Sequence, residues 1–576
     1  MGSSFISHML VIIAICGGFF TTSFGEYFDR MPPKAPTVGI SVLVRNKAHT
    51  LPYFLSSLLK QTYPKKRIYI RFYCDHTSDN SLDIIKHWVG EYGSLYHATY
   101  IVADVTGPAK YRDESTTVIW TLARFEHVIE LREDALEFAR SKWADYVFML
   151  DADVFLTESD TLRLLTEQRR AIVAPMLHSE GTYSNFWCAV QDEFFYKRCD
   201  AYYSMLERAP EYVGCHSVPL VHSAVLISLR NKASDQLSYH PPNEEEYYGP
   251  YDDTVLFAYT ATYIGMLLHI CNHRVYGYVP KPADTSSKLN SDLLEREHLL
   301  NVKLQAIARG TPLPIIPELQ KYVTYPPKDT LNCSKIFMIN LERRVERKQM
   351  METSFRELGL DVEVLKAVDA TELTQPELLN LEVKLMPNYE DPYHKRPMKA
   401  GEIGCFLSHY AVWKMIILFG HNLTMVLEDD VRFAPFFRLR LNGILKELSG
   451  HDFDLLYLGR KILMDSGERP VTAHTTKPLY SYWTIGYILT LRGAQKLVDG
   501  KPLQNMLPVD EYLPIMFDQH PNETWKAHFP RRDLRALSAS PLLVHPTHYS
   551  GMPGYLSDTE DSPVVLAMPE GSRTEL

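Results

Sequence analysis

The chain has 576 residues, of which 45% are hydrophobic and 23% are charged. Because a single hydrophobic core stops growing at roughly 250–300 residues, this length predicts two domains. The formal net charge of -10 argues against the nucleic-acid-binding class, whose members typically carry a strongly basic face.

The N-terminus carries the features of a secretory signal. The apolar run Met9–Phe20 is too short to span a bilayer, and the small residues after it fit signal-peptidase cleavage. We therefore expect a cleaved signal over residues 1–25. Because only His8 and no Lys or Arg precedes the run, a retained N-terminal anchor is the alternative. No later stretch reaches the ~18 apolar residues of a membrane helix, so no transmembrane segment is expected in the mature chain.

Two further features fit a luminal address. Three Asn-x-Ser/Thr sequons predict glycosylation at Asn332, Asn422 and Asn522. The last four residues, 573–576, read Arg-Thr-Glu-Leu and resemble the Lys-Asp-Glu-Leu retrieval signal of the endoplasmic reticulum.

The cysteine count is odd in the mature chain. Of the eight cysteines, Cys16 lies in the signal, and the others show no Cys-x-x-Cys spacing of a zinc site. An odd number leaves at least one free thiol or allows a disulfide-linked homodimer. Three cysteines are close enough in sequence to form one local disulfide: Cys188, Cys199 and Cys215.

The first half of the chain predicts a βαβ unit. A strand at Val38–Val44, a helix at Leu51–Gln61 and a strand at Ile68–Cys74 follow one another. A later strand, Tyr146–Leu150, ends in an Asp-Ala-Asp motif. This order predicts a parallel sheet whose ligand crevice lies at the carboxyl ends of the strands.

The second half repeats this order. A strand at Lys335–Leu341, a helix at Arg344–Leu358 and a strand at Val362–Leu365 precede a strand at Thr424–Leu427, which ends in a Glu-Asp-Asp motif. The two halves share the order of their elements and not their sequence. The expected fold class is therefore α/β, with two Rossmann-like domains in tandem.

Composition sets the expected boundaries. We predict a first domain at 34–280, a helical and proline-rich linker at 281–333, and a second domain at 334–556. The linker contains the helical stretch Ser291–Arg309. The acidic tail at 557–576 is expected to be poorly ordered.

The acidic motifs are the main candidate sites. Side chains alternate along a strand, so Asp151 and Asp153 point the same way, as do Glu428 and Asp430. Each pair offers oxygens to a Mg²⁺ or Mn²⁺ ion, which would neutralise a diphosphate leaving group. The alternative is that such acids are solvated loop residues. Their occurrence after a buried-type strand in both halves favours function.

Other residues could complete a transferase site. Asp510 or Glu511 could act as general base, or serve as ordinary acids of a helix N-terminus. His548 could bind the metal, although most single histidines have no such role. Arg343 and Arg347 could bind phosphate, or form a solvated helix face. The corresponding candidates in the first half are Asp252, Asp253 and His222.

Four motifs of the second half resemble glycosyltransferase family 25. They are Ile339-Asn340-Leu341-Glu342-Arg343-Arg344, Ala367-Val368-Asp369-Ala370, Gly404-Cys405-Phe406-Leu407-Ser408-His409 and Leu427-Glu428-Asp429-Asp430. The whole chain, from about Pro36 to Ser562, is similar to the procollagen galactosyltransferases of this family, which join a family-2-like half to a family-25 half.

The resemblance implies two GT-A type domains and inverting transfer of galactose from UDP-galactose to 5-hydroxylysine of unfolded procollagen, with Mn²⁺, in the lumen of the endoplasmic reticulum. It implies donor and metal binding by Glu428, Asp429 and Asp430, and matches Asp151 and Asp153 to the family's first-half motif. We place catalysis in the second half, where we expect Gly486 and Tyr487, which follow Trp483, to line the sugar pocket. The alternatives are a non-catalytic adhesion protein of the same family and a glucosyltransferase acting on galactosyl-hydroxylysine.

Overall fold

The computed structural model describes residues 34–104, 119–192, 194–283, 289–369, 372, 382–463, 467–552 and 554–564. They form two α/β domains in tandem, each built on an eight-stranded mixed sheet. The predicted fold class is confirmed. The predicted signal peptide and the Arg-Thr-Glu-Leu terminus lie outside the described residues.

The first domain contains fifteen strands and six α-helices in its described part. The strands are β1 (Val38–Val44), β2 (Ile68–Asp75), β3 (Ala98–Asp104), β4 (Tyr146–Asp151), β5 (Phe155–Leu156), β6 (Ile172–Pro175), β7 (Leu177–His178), β8 (Phe186–Trp187), β9 (Ala189–Asp192), β10 (Phe195–Lys197), β11 (Cys215–Ser217), β12 (Leu220–Val221), β13 (Ala224–Ser228), β14 (Leu268–Cys271) and β15 (Gly277–Tyr278). The helices are α1 (Leu51–Leu59), α2 (Ser81–Tyr92), α3 (Leu122–Ser141), α4 (Thr161–Glu167), α5 (Tyr202–Glu207) and α6 (Asp253–Tyr263).

The linker helix α7 (Ser291–Ala308) precedes the second domain. The strands of that domain are β16 (Lys335–Asn340), β17 (Glu363–Lys366), β18 (Leu423–Glu428), β19 (Val431–Phe433), β20 (Leu455–Ile462), β21 (Arg469–Thr472), β22 (Thr475–Lys477), β23 (Ser481–Thr490), β24 (Ala536–Ala539) and β25 (Val544–Pro546). Its helices are α8 (Val345–Leu358), α9 (Ala400–Phe419), α10 (Phe437–Glu447), α11 (Leu491–Asp499), α12 (Val509–Met516) and α13 (Glu523–Lys526).

The two large sheets share one topology. The first has the order β3-β2-β1-β4-β13-β6-β14-β11, and the second has the order β17-β16-β18-β23-β20-β24-β22-β21. From β2 and β17 onward, seven strands match in order along the chain and in direction. The structure thus extends the predicted repeat of element order to most of each domain.

The predicted parallel pairing is confirmed for the strands that the sequence located, but each sheet continues beyond them in mixed directions. The strands up to β4 and β18 are parallel, but β13 and β23 run antiparallel to these acid-bearing strands. A short buried apolar strand has the same sequence pattern in either direction, so the pattern could not show the reversal. The reversal places the end of β4 beside the start of β13, where a second set of polar residues reaches the carboxyl edge.

Helix α7 packs against both domains. Leu299, Val302 and Ala306 join a core cluster of the first domain, and Leu304 joins one of the second. Lys303 forms a buried ion pair with Glu357 on α8. The linker is therefore helical, as expected, and part of the packed structure.

Helix α9 is long and apolar enough to cross a membrane, and it is the one helix of the described chain that meets this criterion. Half of its apolar window is buried, and the stripe Ile403, Leu407, Trp413 and Ile416 packs in a core cluster of the second domain. This is also the pattern of a core helix. The expectation of a chain without a transmembrane segment stays a prediction.

Candidate functional site

The carboxyl ends of β16 and β18 bring the second acidic motif into one crevice. Ile339 pairs with Glu428 across these parallel strands. The amide of Asn340 donates to Oδ2 of Asp429 at 2.7 Å. Arg347, on α8, places Nη1 at 3.1 Å from Oδ1 of Asp429 and 3.4 Å from Oδ2 of Asp430. Asn340 and Arg347 thus hold Asp429, and Arg347 also reaches Asp430.

This crevice carries more negative charge than its cations balance. Burial and the charge of Glu428 raise the pKa of Asp430 to about 7, although Arg347 opposes the shift. The same two causes raise the pKa of Asp510 to about 7. Oδ1 of Asp430 is buried and has no hydrogen-bond partner among the described residues. Raised pKa values mean that the ionised carboxylates repel one another in this crevice. A bound cation would offset this repulsion and stabilise the ionised forms.

The donor set fits a hard divalent cation. Glu428 and Asp430 present carboxylate oxygens, which Mn²⁺ and Mg²⁺ prefer. The unpartnered Oδ1 of Asp430 is available as a ligand. Cys405, His409 and Glu428 also bring three ligand-type atoms within 4.8 Å of one another at the inner wall of this crevice.

The two predicted base candidates lie in different surroundings. Successive residues of a helix point about 100° apart, so Asp510 and Glu511 at the start of α12 cannot face the same site. Asp510 lies close to Glu428, and the hydroxyl of Thr484 is within hydrogen-bond reach of both. Asp510 is therefore the member of the pair that lies in the crevice.

Glu511 is 2% exposed and fully engaged in hydrogen bonds. It accepts from the hydroxyls of Tyr480 at 2.7 Å and Tyr482 at 2.9 Å, and His520 lies at 2.8 Å. Both of its oxygens are used in this way. Its environment is that of a structural carboxylate.

The arginines expected to bind phosphate bind a carboxylate instead. Arg344 contacts both oxygens of Asp558, at 2.6 and 2.9 Å, and Arg343 contacts Oδ1 at 2.9 Å. Arg347 donates to the carbonyl of Leu556 at 2.7 Å. Arg343 and Arg344 therefore form a cluster around the carboxylate of Asp558, and their binding of phosphate stays a prediction.

Residues 554–564 form a strap over the crevice, so the prediction of poor order is wrong for this part of the tail. Ser562 Oγ accepts from the amide of Gly401 at 2.8 Å, and the Pro563 carbonyl accepts from the amide of Ala400 at 2.9 Å. A Cβ on Gly401 would lie 2.2 Å from the carbonyl oxygen of Asp558. The start of α9 therefore needs glycine to hold the strap. Arg344 and Asp558 are more than 200 residues apart, so no local sequence pattern could predict their ion pair.

His548 lies near the acidic motif through strand pairing. β25 pairs with β19, and Thr547 donates both its amide, at 2.7 Å, and its hydroxyl, at 2.6 Å, to the carbonyl of Asp430. His548 is the next residue and is exposed. Within the described chain it joins none of the grouped metal-ligand atoms, so its metal role stays a prediction.

Trp483 borders the same crevice, with its amide bound to Asp510 and φ at +67°. Such a φ is rare for a bulky residue. The expectation that Gly486 and Tyr487 line a sugar pocket is wrong. Tyr487 is fully buried, and Gly486 packs against Leu427 and Val544.

In the first domain each motif acid contacts a cation, although Asp151 shares its cation with Asp253. Asp151 lies 2.7 Å from Nη2 of Arg132 on α3, and Asp153 lies 2.7 Å from Nζ of Lys47. Nε of Arg132 is 3.2 Å from Asp253. Burial would raise the pKa of Asp151, but the charge and hydrogen bond of Arg132 outweigh it and lower that pKa. Burial raises the pKa of Asp253 to about 6.

The other first-domain candidates have structural partners. Asp252 caps α6, accepting from the amides of Thr254 at 2.9 Å and Val255 at 3.1 Å. Nδ1 of His222 lies 2.9 Å from the hydroxyl of Ser223, and burial lowers the pKa of His222. These contacts indicate a cap and an ordinary buried histidine.

Sequence reasoning missed Lys47, Arg132 and Asp558, because each acts through a contact distant in sequence. His409 belongs to one of the four family motifs, but the sequence alone assigned no role to it. A second group of ligand-type atoms, from Asp75, His76 and His127, lies at the end of β2. Asp75 accepts from both histidines, which satisfies the group without a metal.

The structure places four of the cysteines in disulfides and two of the three sequon asparagines at the surface. Disulfides join Cys188 to Cys199 and Cys215 to Cys271. Asn332 and Asn422 are exposed, and Asn522 caps α13 through its Oδ1. The free cysteines of the described chain are Cys74, Cys333 and Cys405.

Two family models match the chain. Residues 35–303 match "Glycosyltransferase family 25, N-terminal domain", and residues 333–513 match "Glycosyltransferase family 25 (LPS biosynthesis protein)". The chain belongs to glycosyltransferase family 25. Glu428, Asp430 and Asp510 lie in the segment that the second model matches, and the ion-paired acids Asp151 and Asp153 lie in the segment that the first model matches.

Family-25 relatives are similar over nearly the full length. A "Glycosyltransferase 25 family member" of Drosophila pseudoobscura pseudoobscura is 44% identical over 572 residues, which covers 96% of this chain and 90% of that protein. "Procollagen galactosyltransferase 2" of Homo sapiens is 42% identical over 545 residues, covering 93% and 85%. Both modules are therefore shared with these proteins.

Similarity to solved structures is weak. The mannosyltransferase PcManGT from Pyrobaculum calidifontis, in complex with GDP-Man and Mn²⁺, gives a TM-score of 0.28 at 16% identity, covering 55% of this chain and 78% of that one. TarS of S. aureus (residues 1–349) in complex with UDP-GlcNAc gives a TM-score of 0.29 at 13% identity, covering 60% and 80%. Neither transfers any feature of its site to this chain.

Proposed function

We propose that this glycosyltransferase moves galactose from UDP-galactose to 5-hydroxylysine of unfolded procollagen and that its second domain performs the transfer. The named procollagen galactosyltransferases support the donor sugar and the acceptor. The observation that carries the choice of domain is the raised pKa of both Asp430 and Asp510, each about 7, in a crevice short of cations. In the first domain Arg132 and Lys47 already balance the motif acids.

Asp510 is the proposed general base. An inverting transfer is a single displacement, in which the hydroxylysine oxygen attacks the anomeric carbon, the bond to UDP breaks and the hydroxyl proton must leave. A carboxylate with a pKa near the working pH is suited to take that proton. Asp510 lies in the crevice beside Glu428, whereas Glu511 has both oxygens bound by other side chains.

Glu428 and Asp430 are the proposed ligands of the divalent cation. When bound, Mn²⁺ supplies the positive charge that stabilises a diphosphate leaving group. Arg347 keeps Asp429 in place and balances part of the acidic charge. Arg343 and Arg344 bind the carboxylate of Asp558 at the crevice. If Asp558 moved away, the two guanidinium groups could bind the phosphates of a nucleotide in its place.

We further propose that the protein works in the lumen of the endoplasmic reticulum. The apolar N-terminal run, the Arg-Thr-Glu-Leu terminus and the exposed sequons at Asn332 and Asn422 support this location. So do two disulfides in the first domain, because disulfides persist in oxidising compartments.

The test is release of UDP by the full-length protein, given Mn²⁺, a hydroxylysine-containing collagen peptide and either UDP-galactose or UDP-glucose. We expect turnover with UDP-galactose, its loss in Asp430→Asn, and none with UDP-glucose. Glu523→Gln, which removes an exposed acid on α13, is the matched control and should behave like wild type. Turnover with UDP-glucose alone would identify a glucosyltransferase, and no turnover with either donor would favour a binding protein.

A further inference from the structure

A row of buried polar side chains leads from the core of the second domain to Glu428. Nε1 of Trp413 lies 3.0 Å from the hydroxyl oxygen of Tyr487, and that oxygen lies 2.9 Å from Nδ1 of His409. Nε2 of His409 lies 3.4 Å from Oε1 of Glu428. Trp413, Tyr487 and His409 are at most 1% exposed. Because buried polar groups are costly without partners, each member restricts its neighbours to one arrangement.

The donors and acceptors of this row give it a direction. An indole N–H can only donate, so the oxygen of Tyr487 accepts from Trp413. Nδ1 of His409 is the one acceptor that the described residues offer to the hydroxyl hydrogen of Tyr487, so we assign the hydrogen to this contact, which makes Nδ1 the unprotonated ring nitrogen. In a neutral imidazole the proton is then on Nε2. The row therefore ends in an N–H directed at Glu428.

We propose that His409 is a positioning residue, which holds the ionised Glu428 by one oxygen and leaves the other oxygen for a divalent cation. This inference rests on the proposed function of the crevice. Both hydrogen bonds that Glu428 accepts in the described chain go to Oε1, one from His409 and one from Thr484 at 2.9 Å. Outer partners of this kind orient metal-binding side chains in many proteins.

The first domain provides the contrast. Helix α3 precedes the acid-bearing strand β4 just as α9 precedes β18. Arg132 on α3 contacts Asp151, the first acid of its motif, as His409 on α9 contacts Glu428. A guanidinium balances the acid with a permanent charge, whereas an imidazole N–H can direct the acid without one. The two sites therefore differ at this helix position, with a guanidinium in the first domain and an imidazole in the second.

The competing interpretation is a histidine that only fills space, since His409 packs beside Tyr487 in the core. Two substitutions separate the interpretations. His409→Gln keeps an N–H donor near the position of Nε2, whereas His409→Leu keeps apolar volume and no donor. Tyr487→Phe removes the hydroxyl hydrogen that keeps the proton on Nε2, so it tests the direction of the row.

The experiment is a Mn²⁺ titration of the full-length protein in the presence of UDP, followed by the electron paramagnetic resonance signal of free Mn²⁺. We expect His409→Leu to weaken Mn²⁺ binding about 10–100-fold, the range seen for outer partners of metal ligands. His409→Gln should stay close to wild type, and Tyr487→Phe should lie between them. Unfolding temperatures measured in parallel identify any variant that fails to fold.

Equal Mn²⁺ affinity in wild type and His409→Leu would overturn this inference alone. So would an equal loss in His409→Gln and His409→Leu, because only packing would then matter. A wild-type protein that binds no Mn²⁺ would overturn the metal part of the proposed function and this inference with it.

Discussion

Asp430→Asn should make the metal-free protein more stable, although it removes a motif acid. Burial and the charges of Glu428 and Asp429 raise the pKa of Asp430 from 3.8 to about 7. At ~1.4 kcal/mol per pKa unit this is an upper limit of roughly 4 kcal/mol of repulsion at neutral pH. The side chain is 35% exposed, so screening by solvent reduces the gain to about 1–2 kcal/mol.

The pH dependence of this gain has a defined sign. Because the folded-state pKa of Asp430 is raised, its favourable contribution is complete below its unfolded pKa and is lost as the pH rises through about 7. The stability advantage of Asp430→Asn over wild type should therefore grow between about pH 4 and pH 7 and then level off.

The assay is thermal unfolding in EDTA and in excess Mn²⁺. A gain of 1–2 kcal/mol corresponds to an increase of roughly 2–8 °C for a domain of 150–250 residues. In Mn²⁺ the order should reverse, because a bound cation stabilises the wild type by mass action and the amide is a poorer ligand. A variant that is less stable than wild type in EDTA at pH 7 would refute the claim that the crevice carries unbalanced charge.

Three other substitutions test single contacts. Arg132→Met leaves Asp151 and Asp253 in a buried site without their cation and should lower the unfolding free energy in urea by about 3–5 kcal/mol; an unchanged midpoint would contradict these ion pairs. Gly401→Ala places a Cβ against the strap and should speed proteolysis at residues 554–564, whereas Gly443→Ala on α10, where a Cβ meets nothing within 4 Å, should not. Glu511→Gln should lower the unfolding temperature, since an amide N–H₂ faces hydroxyl donors, but leave turnover per folded molecule unchanged; a selective loss of turnover would return Glu511 to the list of bases.

The sequence was sufficient to locate the two strands that lead into the acidic motifs, β4 and β18, and their parallel neighbours, β1 and β16. β1, β4, β16 and β18 lie within one residue of their predicted bounds at each end, because each is a short apolar run that turn residues interrupt. β18 ends at Glu428, and the turn that follows places Asp430 close enough for the charge of Glu428 to raise the pKa of Asp430. The local pattern of apolar and turn residues was therefore enough to predict where the second-domain crevice lies.

The sequence was insufficient to show the charge balance of the two acidic sites. Lys47 lies 106 residues from Asp153, and Asp558 lies more than 200 residues from the arginines that it contacts. Such ion pairs form only when distant segments of the chain come together in the folded domain. A local sequence pattern contains no information about these contacts. For the same reason the opposite surroundings of Asp510 and Glu511 became visible only once α12 was placed against β23.

The most direct test of the central claim compares two acids at matching places in the repeat. Asp510 lies at the start of α12 after β23, and Asp253 lies at the start of α6 after β13. We would measure kcat for UDP-galactose turnover on a hydroxylysine peptide with Asp510→Asn and Asp253→Asn, after confirming that both fold. Asp510→Asn should lose about 10²–10⁴-fold in kcat, the usual contribution of a general base, and Asp253→Asn should keep wild-type turnover. Loss in Asp253→Asn with full activity in Asp510→Asn would contradict the account and move catalysis to the first domain.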